Sequence, residues 1–312
     1  MQYTIYNPLR LFEICAGYGS QALALKRLQE HYPNFAYELV GWCDFDPESS
    51  QPIDKQPAVV AHRALHPENP YNWGDLTKID WTKVPDFDLL TYSTPCQSIS
   101  AAGLQHGFAE GSGTRSSIIW NVRDAVAIKR PKYLMLENVK AMVSGKFIGM
   151  FNLWQSELER LGYVNFAKVL NAKDYGVPQN RERIFLVSIR ADGLDALEGK
   201  VYYHFPKPFP LEKRLKDVLE EHVDEKYYLS DKMLEYFNRV NDDKSHGHDF
   251  KPKDGGGYSV CHKDGTRAES GRQLCVQREG NVNSSQDGVV VSKDGISPCH
   301  SAGHGNTPKI KV

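Results

Sequence analysis

The chain has 312 residues and a formal net charge of −1 at pH 7, with 38 Lys and Arg against 39 Asp and Glu. That length holds one large domain or two ordinary ones, and the composition is that of a soluble globular protein with no apolar run near the ~18 residues of a membrane helix. Near-neutrality excludes a uniformly basic nucleic-acid binder but not one with segregated charge, and from Lys251 onward nine Lys and Arg stand against six Asp and Glu.

The opening MQYTIYNPLRLFEI lacks the basic patch and apolar core of a secretory signal. LRLFEIC (9–15) is a short, largely apolar run predicted as a strand, and the small-residue turn AGYGS follows it. QALALKRLQEH (21–31) has helical spacing that puts Ala22, Leu25 and Leu28 on one face. YELVGWC (37–43) is predicted as a second strand ending at Asp44, and Asp75 in WGDLT ends or follows a third, shorter one. DLLTYS (88–93), YLMLE (133–137) and RIFLVSIR (183–190) are further strands. TRSSIIWNVRDAVAIK (114–129) and FIGMFNLWQSELERLGY (147–163) are predicted helices. Strands alternating with helices imply an α/β fold with a doubly wound, mostly parallel sheet, whose ligands sit beyond the carboxyl ends of the strands.

The pattern changes near residue 200, where the proline-rich HFPKPFPLEKR marks a boundary between an α/β domain (1–198) and a second region (199–312). Helices are expected around 211–221 and 230–240. Beyond them the chain is dense in Gly, Asp, Asn and Ser, with short strand candidates QLCVQ and VVVS, and reads as a smaller β and loop region.

Three stretches of the α/β part carry chemistry. In FEICAGYGS a strand runs into a glycine turn and a helix, which suits close approach of a ligand to backbone N–H groups. The strict G-x-G-x-x-G pattern is not kept, because Ala22 stands at the third glycine. Asp44, about 25 residues beyond Gly19, is placed to accept both hydroxyls of a ribose or to serve as a surface acid or helix cap, and Asp75 has the same two readings. Cys96 directly follows the strand DLLTYS, between Pro95 and Gln97. A lone cysteine is more often a small core residue than a nucleophile, but this one stands at the sheet edge that holds the chemistry of such folds. Glu137, with Asn138 beside it, reaches the same edge after YLMLE and is a candidate general acid or hydrogen-bond partner. Arg181 and Arg183 alternate just before a strand, so both point to one face.

In this order and at this spacing, FEICAGYGS, PCQ, ENV and QNRERIF resemble the DNA (cytosine-5)-methyltransferase family over residues 8–190, and GSGTRSS (111–117) is similar to the same family. The resemblance implies the Rossmann-like class I fold of S-adenosylmethionine-dependent methyltransferases. It implies methyl transfer from S-adenosylmethionine to carbon 5 of cytosine in a specific duplex sequence, with S-adenosylhomocysteine as product. Cys96 then matches the nucleophile that adds to carbon 6, and Glu137 the carboxyl that holds the ring nitrogen and exocyclic amine. Arg183 matches the arginine on the base oxygen, with Arg181 in support. The cofactor-binding positions are Glu13, Cys15, Gly17, Gly19, Asp44, Phe45, Asp75, Leu76 and Pro95. Glu13 would help hold the amino end of the cofactor, and Asp75 would lie near the adenine amine. Cys15 departs from the family, which often has phenylalanine there, packed on the adenine. Cysteine offers less contact, with Ile14 or Phe45 to compensate.

By the same resemblance, CQSISAAGLQHGFAEGSG (96–113) is expected to be a mobile loop closing over a flipped base. Residues from about 200 match the target-recognition region, with Arg267, Arg272, Gln273, Gln277 and Arg278 as candidate base readers. The implied setting is the cytoplasm of a bacterium or phage host, in a restriction-modification system with a cognate endonuclease or in phage self-protection, with no membrane partner. The family's closing helical and Gly-Asn motifs are not found, since Gly305-Asn306 is followed by only six residues. The chain is therefore expected to be truncated or a gene fragment, or to be split, with a second polypeptide completing it; otherwise it is a monomer. Two rivals keep this resemblance: a tRNA cytosine-5 methyltransferase and an inactive fragment. A nicotinamide dehydrogenase accounts for the glycine turn but not for PCQ or QNRER. The six cysteines, at 15, 43, 96, 261, 275 and 299, form no C-x-x-C pair and fit a reducing compartment. Cys261, His262, Cys275, Cys299 and His300 fit no usual zinc spacing, so no metal is expected.

Overall fold

The structure, a computed structural model, describes residues 3–96, 98, 107–191, 201–214 and 217, together with the backbone of 278–281, 289–292 and 310–311. It divides into two compact units, Met1–Val169 with Arg183–Phe205, and Leu170–Glu182 with Pro206–Val312.

The first unit is built on a six-stranded sheet of β1 (Leu9–Ile14), β2 (Tyr37–Cys43), β3 (Leu89–Tyr92), β4 (Tyr133–Val139), β5 (Tyr163–Asn171) and β6 (Glu182–Arg190). The strand order is β2-β1-β3-β4-β6-β5. β2, β1, β3 and β4 pair in parallel, and β6 runs antiparallel to β4. Nearly every residue of β1 is buried, as expected for a strand covered on both faces. On one face, Phe12, Ile14, Leu90, Tyr92, Leu134 and Leu136 pack with α3 (Val122–Lys129) and α4 (Ile148–Arg160), which contribute Val122, Val126, Phe151, Trp154 and Leu158. On the other, Leu11, Leu39 and Trp42 meet Ala22 of α1 (Ser20–His31) and Val59 of α2 (Pro57–Leu65). Helices on both faces make this the expected doubly wound α/β architecture.

Several elements differ from the sequence expectation. The helix predicted over 114–129 opens as tighter 3-10 turns, Arg115–Asn121, before α3 begins. α4 stops at Arg160, and Gly162 (φ 90°) turns the chain into β5, which was not expected. α2 was not expected either; it starts with Pro57 at its first position, where the missing N–H costs nothing. No strand forms before Asp75, only a single bridge between Trp42 and Asn72. Leu28 is 43% exposed, so the α1 stripe is buried at Ala22 and not at its far end. β4 runs two residues past its predicted end, which brings Asn138 and Val139 into the strand.

In the second unit, β7 (Arg278–Asn281) pairs antiparallel with β8 (Val289–Ser292), and β8 pairs in parallel with β9 (Ile310–Lys311). β8 is the predicted VVVS strand. Residues 211–214 are not helical. The rest of the 211–221 helix, the 230–240 helix and QLCVQ lie outside the described residues, as do the Cys261–His300 group, Gly305-Asn306 and the side chains of the candidate base readers. Among the described residues no helix is long and apolar enough to cross a membrane.

Leu136 is fully buried between β3 and β6. Leu136→Ala is expected to lower unfolding stability by about 2–5 kcal/mol, read as a shifted urea midpoint at unchanged slope.

Candidate functional site at the carboxyl edge of the sheet

Strand pairing sets the level of the site. Cys43 lies opposite Ile14, Ile14 opposite Tyr92, and Tyr92 opposite Leu136. The next residue along each strand is Asp44, Cys15, Ser93 and Glu137, so these four share one row, the first three just past their strands and Glu137 still within β4.

The chain bends sharply after β1. Cys15, Gly17 and Gly19 all have left-handed backbones, with φ of 53°, 57° and 80°. At Cys15 a side chain accepts this conformation at a cost of roughly 1–2 kcal/mol, and glycine meets it without strain at the other two. The Gly17 N–H donates to Asp44 Oδ2 at 2.8 Å. Asp44 is in turn held by Asn72, whose Nδ2 donates to the Asp44 carbonyl at 2.8 Å and whose Oδ1 accepts from the Asp44 and Gly74 N–H groups at 3.0 and 2.9 Å. Burial pushes the Asp44 carboxyl above the ordinary carboxylate range, opposed by the Gly17 hydrogen bond and by His62.

Beside this turn is a cavity of about 220 Å³. Five of the sequence-predicted cofactor positions line it together: Cys15, Asp44, Phe45, Asp75 and Leu76. Cys43, Pro47, Gly74, Thr77 and Ile118, which were not predicted, complete the wall. Burial pushes the Cys15 thiol well up and the Cys43 thiol up to about 12, so both stay protonated at neutral pH. For Asp75 burial acts upward, but hydrogen bonds from Thr77 and Lys78 outweigh it and leave the carboxyl below its usual range. Asp75 Oδ1 accepts from the Thr77 N–H and hydroxyl at 3.0 and 2.8 Å, capping its own turn. Among the described residues, none comes within 4 Å of where a Cβ on Gly17 would lie. Glu13 is not part of this wall: it is 1% exposed, and its Oε1 accepts from the Ala22 N–H at 3.1 Å.

Cys96 follows β3 by four residues, is half-buried and packs against the larger core. Its turn is tied down from two sides. The Ser93 N–H donates to the Ile14 carbonyl at 3.3 Å, and Gln21 Nε2 of α1 donates to Ser93 Oγ at 3.1 Å. From β4, Asn138 Nδ2 donates to the Thr94 carbonyl at 3.0 Å in a buried contact next to Pro95. β4 alternates: Leu134, Leu136 and Asn138 are buried on one face, while Glu137 lies on the other. Asn138 and Gln21 were not predicted as site residues. The alternation carried a signal for Asn138, since an amide in register with two core leucines needs a buried partner.

Glu137 faces Phe185 across the β4–β6 ladder, and Arg183 is the diagonal neighbour on that face. Arg183 Nε and Glu137 Oε1 are 3.1 Å apart, with side-chain exposures of 15% and 20%. Arg181 belongs to the second unit, where its N–H donates to Asn171 Oδ1 at 3.1 Å. Of the expected loop over 96–113, residue 97 and residues 99–106 lie outside the described residues. Its flanks are pinned by Ser98 N–H to Ser116 Oγ at 3.2 Å and Thr114 Oγ1 to the Gly107 carbonyl at 3.0 Å. Arg115 pairs with Asp46 and Glu48 at 2.9 and 3.0 Å.

A family model described as C-5 cytosine-specific DNA methylase matches residues 9–299. Over 172 residues the chain is 45% identical to the type II methyltransferase M2.ScrFI of Lactococcus lactis subsp. cremoris, covering 55% of this chain and 44% of that protein. It is 31% identical over 333 aligned residues to the orphan methyltransferase M.SPRI of Bacillus phage SPR, covering 98% and 66%. A solved structure of Spodoptera frugiperda DNMT2 shares the fold, with a TM-score of 0.53 at 20% identity over 72% of this chain and 64% of that one. The chain thus spans less than two thirds of the length of each of these proteins.

The raised Asp44 carboxyl has a consequence for stability. Its folded form holds a proton more tightly than the unfolded chain, so its contribution favours folding in acid and is lost as pH rises through its folded pKa. Asp44→Asn keeps an oxygen for the Gly17 N–H and removes the buried charge. It is expected to melt above the parent at pH 7, with the gap closing on acidification, as followed by thermal unfolding across pH 4–7.

Proposed function

Since the chain belongs to the C-5 cytosine-specific DNA methylase family, we propose that it transfers a methyl group from S-adenosylmethionine to carbon 5 of cytosine in duplex DNA. One observation carries the reading: the Glu137–Arg183 ion pair stands at the strand edge where Asn138 ties down the turn of Cys96.

The cavity beside the glycine turn fits S-adenosylmethionine. Phe45, Leu76 and Ile118 offer apolar walls for a flat ring, and Asp44 offers a carboxylate for ribose hydroxyls. The open space before Gly17 admits a ligand close to the backbone. Cys15 and Asp75 border the ring side, while Gly19 and Pro95 are not in the cavity wall and keep a cofactor role only by the family resemblance. When bound, the cofactor supplies a methyl group on a positively charged sulfur, activated for displacement.

The chain's own residues solve the other half of the problem, because carbon 5 of cytosine is a poor nucleophile. The Cys96 thiolate adds to carbon 6, and the electron pair of the ring double bond moves toward carbon 5. Glu137 holds the ring nitrogen and exocyclic amine and gives that nitrogen a proton as charge builds. Arg183 meets the base oxygen while orienting Glu137, and Arg181 supports it. After transfer, the ring nitrogen returns its proton to Glu137, water takes the proton from carbon 5, and the Cys96 thiolate leaves. The target atom lies inside a stacked duplex, so the base must be flipped out to reach Cys96. Residues 199–312 are the target-recognition region in this reading. The relatives' names, a type II and a phage orphan methyltransferase, support a restriction-modification or phage self-protection setting in the cytoplasm of a bacterium.

Incubation with S-adenosylmethionine and duplex DNA containing 5-fluorocytosine is expected to trap a covalent adduct that is lost in Cys96→Ala. Glu137→Gln is expected to slow methyl transfer about 10²–10⁴-fold while the adducted cysteine stays in place. Labelled methyl appearing in tRNA and not in DNA overturns the substrate, and no adduct on either overturns the chemistry.

A further inference from the structure

Below the glycine turn, on the side away from the cavity, is a cluster of ionisable groups that the proposed chemistry does not use. Glu13 of β1 is 1% exposed, and His62 of α2 and His66, which closes that helix, are both 0% exposed. His62 stacks flat on Trp42, with ring centres 3.7 Å apart and an interplanar angle of 16°. Its Nε2 is 3.5 Å from Glu13 Oε2, and the two imidazoles are 4.7 Å apart. His66 Nε2 is 3.1 Å from the Gly19 carbonyl oxygen, and its Nδ1 is 3.4 Å from Glu68 Oε1.

Three buried titratable side chains are a poor way to fill a core, since apolar groups of the same volume avoid their desolvation. What they supply is direction. The Gly19 carbonyl can only accept, so His66 Nε2 carries the hydrogen. That bond fixes the peptide leaving Gly19, whose carbonyl also accepts the Leu23 N–H at the start of α1. Glu13 Oε1 fixes the Ala22 N–H one turn further on, and His62 Nε2 approaches Glu13 Oε2 at 3.5 Å without forming a hydrogen bond. The fit is close: a Cβ on Gly19 would lie 2.4 Å from His66 Nε2 and 3.0 Å from His62 Nε2. Asp44 grips the turn from the cavity side at Gly17, and the histidines grip it from beneath at Gly19.

We propose that His66, supported by the His62–Glu13 pair, is a positioning residue for the cofactor turn: it orients the Gly19 peptide and so sets S-adenosylmethionine affinity from a buried place that never touches the ligand. The proposal rests on the reading that this turn holds S-adenosylmethionine. Its signature is a split between cofactor binding and turnover. His66→Leu fills the same space without a donor and is expected to raise the Kd and KM for S-adenosylmethionine about tenfold. DNA affinity and kcat at saturating cofactor are expected to stay within about twofold, because Cys96 and Glu137 are untouched. His66→Gln can bring an amide N–H near the Nε2 position and is expected to restore cofactor affinity to within about twofold of the parent.

Calorimetric titration of the full chain with S-adenosylmethionine decides the matter. Parent protein that binds while His66→Leu binds equally well overturns this inference alone, as does equal weakening in the Leu and Gln variants, which marks a packing role. Parent protein that takes up no S-adenosylmethionine overturns the cofactor reading and this inference with it. Should His66→Leu fail to fold, the imidazole nitrogen spectrum of the parent serves instead: a hydrogen on His66 Nε2 is expected, and its absence overturns the proposal.

Discussion

Ile14 lies opposite Tyr92 and Tyr92 opposite Leu136, so β1 and β3 stop at one level beside a β4 that runs on, and the proposed chemistry depends on that alignment. A parallel sheet satisfies its backbone groups up to its last pair, and the chain must then turn away. Here β1 turns through three left-handed residues, β3 runs into Ser-Thr-Pro-Cys, and β4 continues long enough to hold Glu137 and Asn138. A slip of one residue in β4 would turn both Glu137 and Asn138 to the wrong face, because side chains alternate with every step. β6, antiparallel to β4, brings Arg183 back to the same edge.

The edge is held by polar contacts in places where apolar packing would be more stable. Asp44 is buried against its own ionisation, Glu13 lies under the glycine turn, and Asn138, next on the buried face after Leu134 and Leu136, spends its amide on the Thr94 carbonyl. Hydrophobic burial sets how tightly the sheet holds together, but it has no direction. Hydrogen bonds to Gly17, Gly19, Ala22 and Thr94 fix peptide orientation, and that is what a turn needs if a ligand is to meet it. Buried polar groups of this kind are costly unless paired, so losing one partner destabilises more than replacing both.

Much of this was legible in the sequence. The five apolar runs at 9–15, 37–43, 88–93, 133–137 and 183–190 became strands because each must be covered by helices. Glu137 and Arg183 could be read as partners in one site from their places at strand ends. Other features left weak traces. α2 is short, and its buried face includes a histidine, so it lacked an apolar stripe. β5 buries only Tyr163 fully, and its remaining residues are half-buried or exposed. Glu13 was legible as an acid near the turn but not in its direction, because β1 is buried on both faces and alternation there carries no sign.

The cofactor turn and the nucleophile turn also share a mechanical link. α1 begins at Ser20, directly after Gly19, and its second residue, Gln21, reaches Ser93 Oγ at 3.1 Å. Ser93 is held through its own N–H by the Ile14 carbonyl, one residue before the left-handed Cys15. Gln21 thus joins the start of α1 to the first residue of the segment that ends in Cys96. On the far side, Asn138 anchors Thr94 to β4, so that segment has one fixed support and one that follows the glycine turn. The link runs through hydrogen bonds and one short helix end. The residues that would hold the cofactor and the residue that would attack the base are thus set by one small network, with Ser93 and Thr94 at its centre.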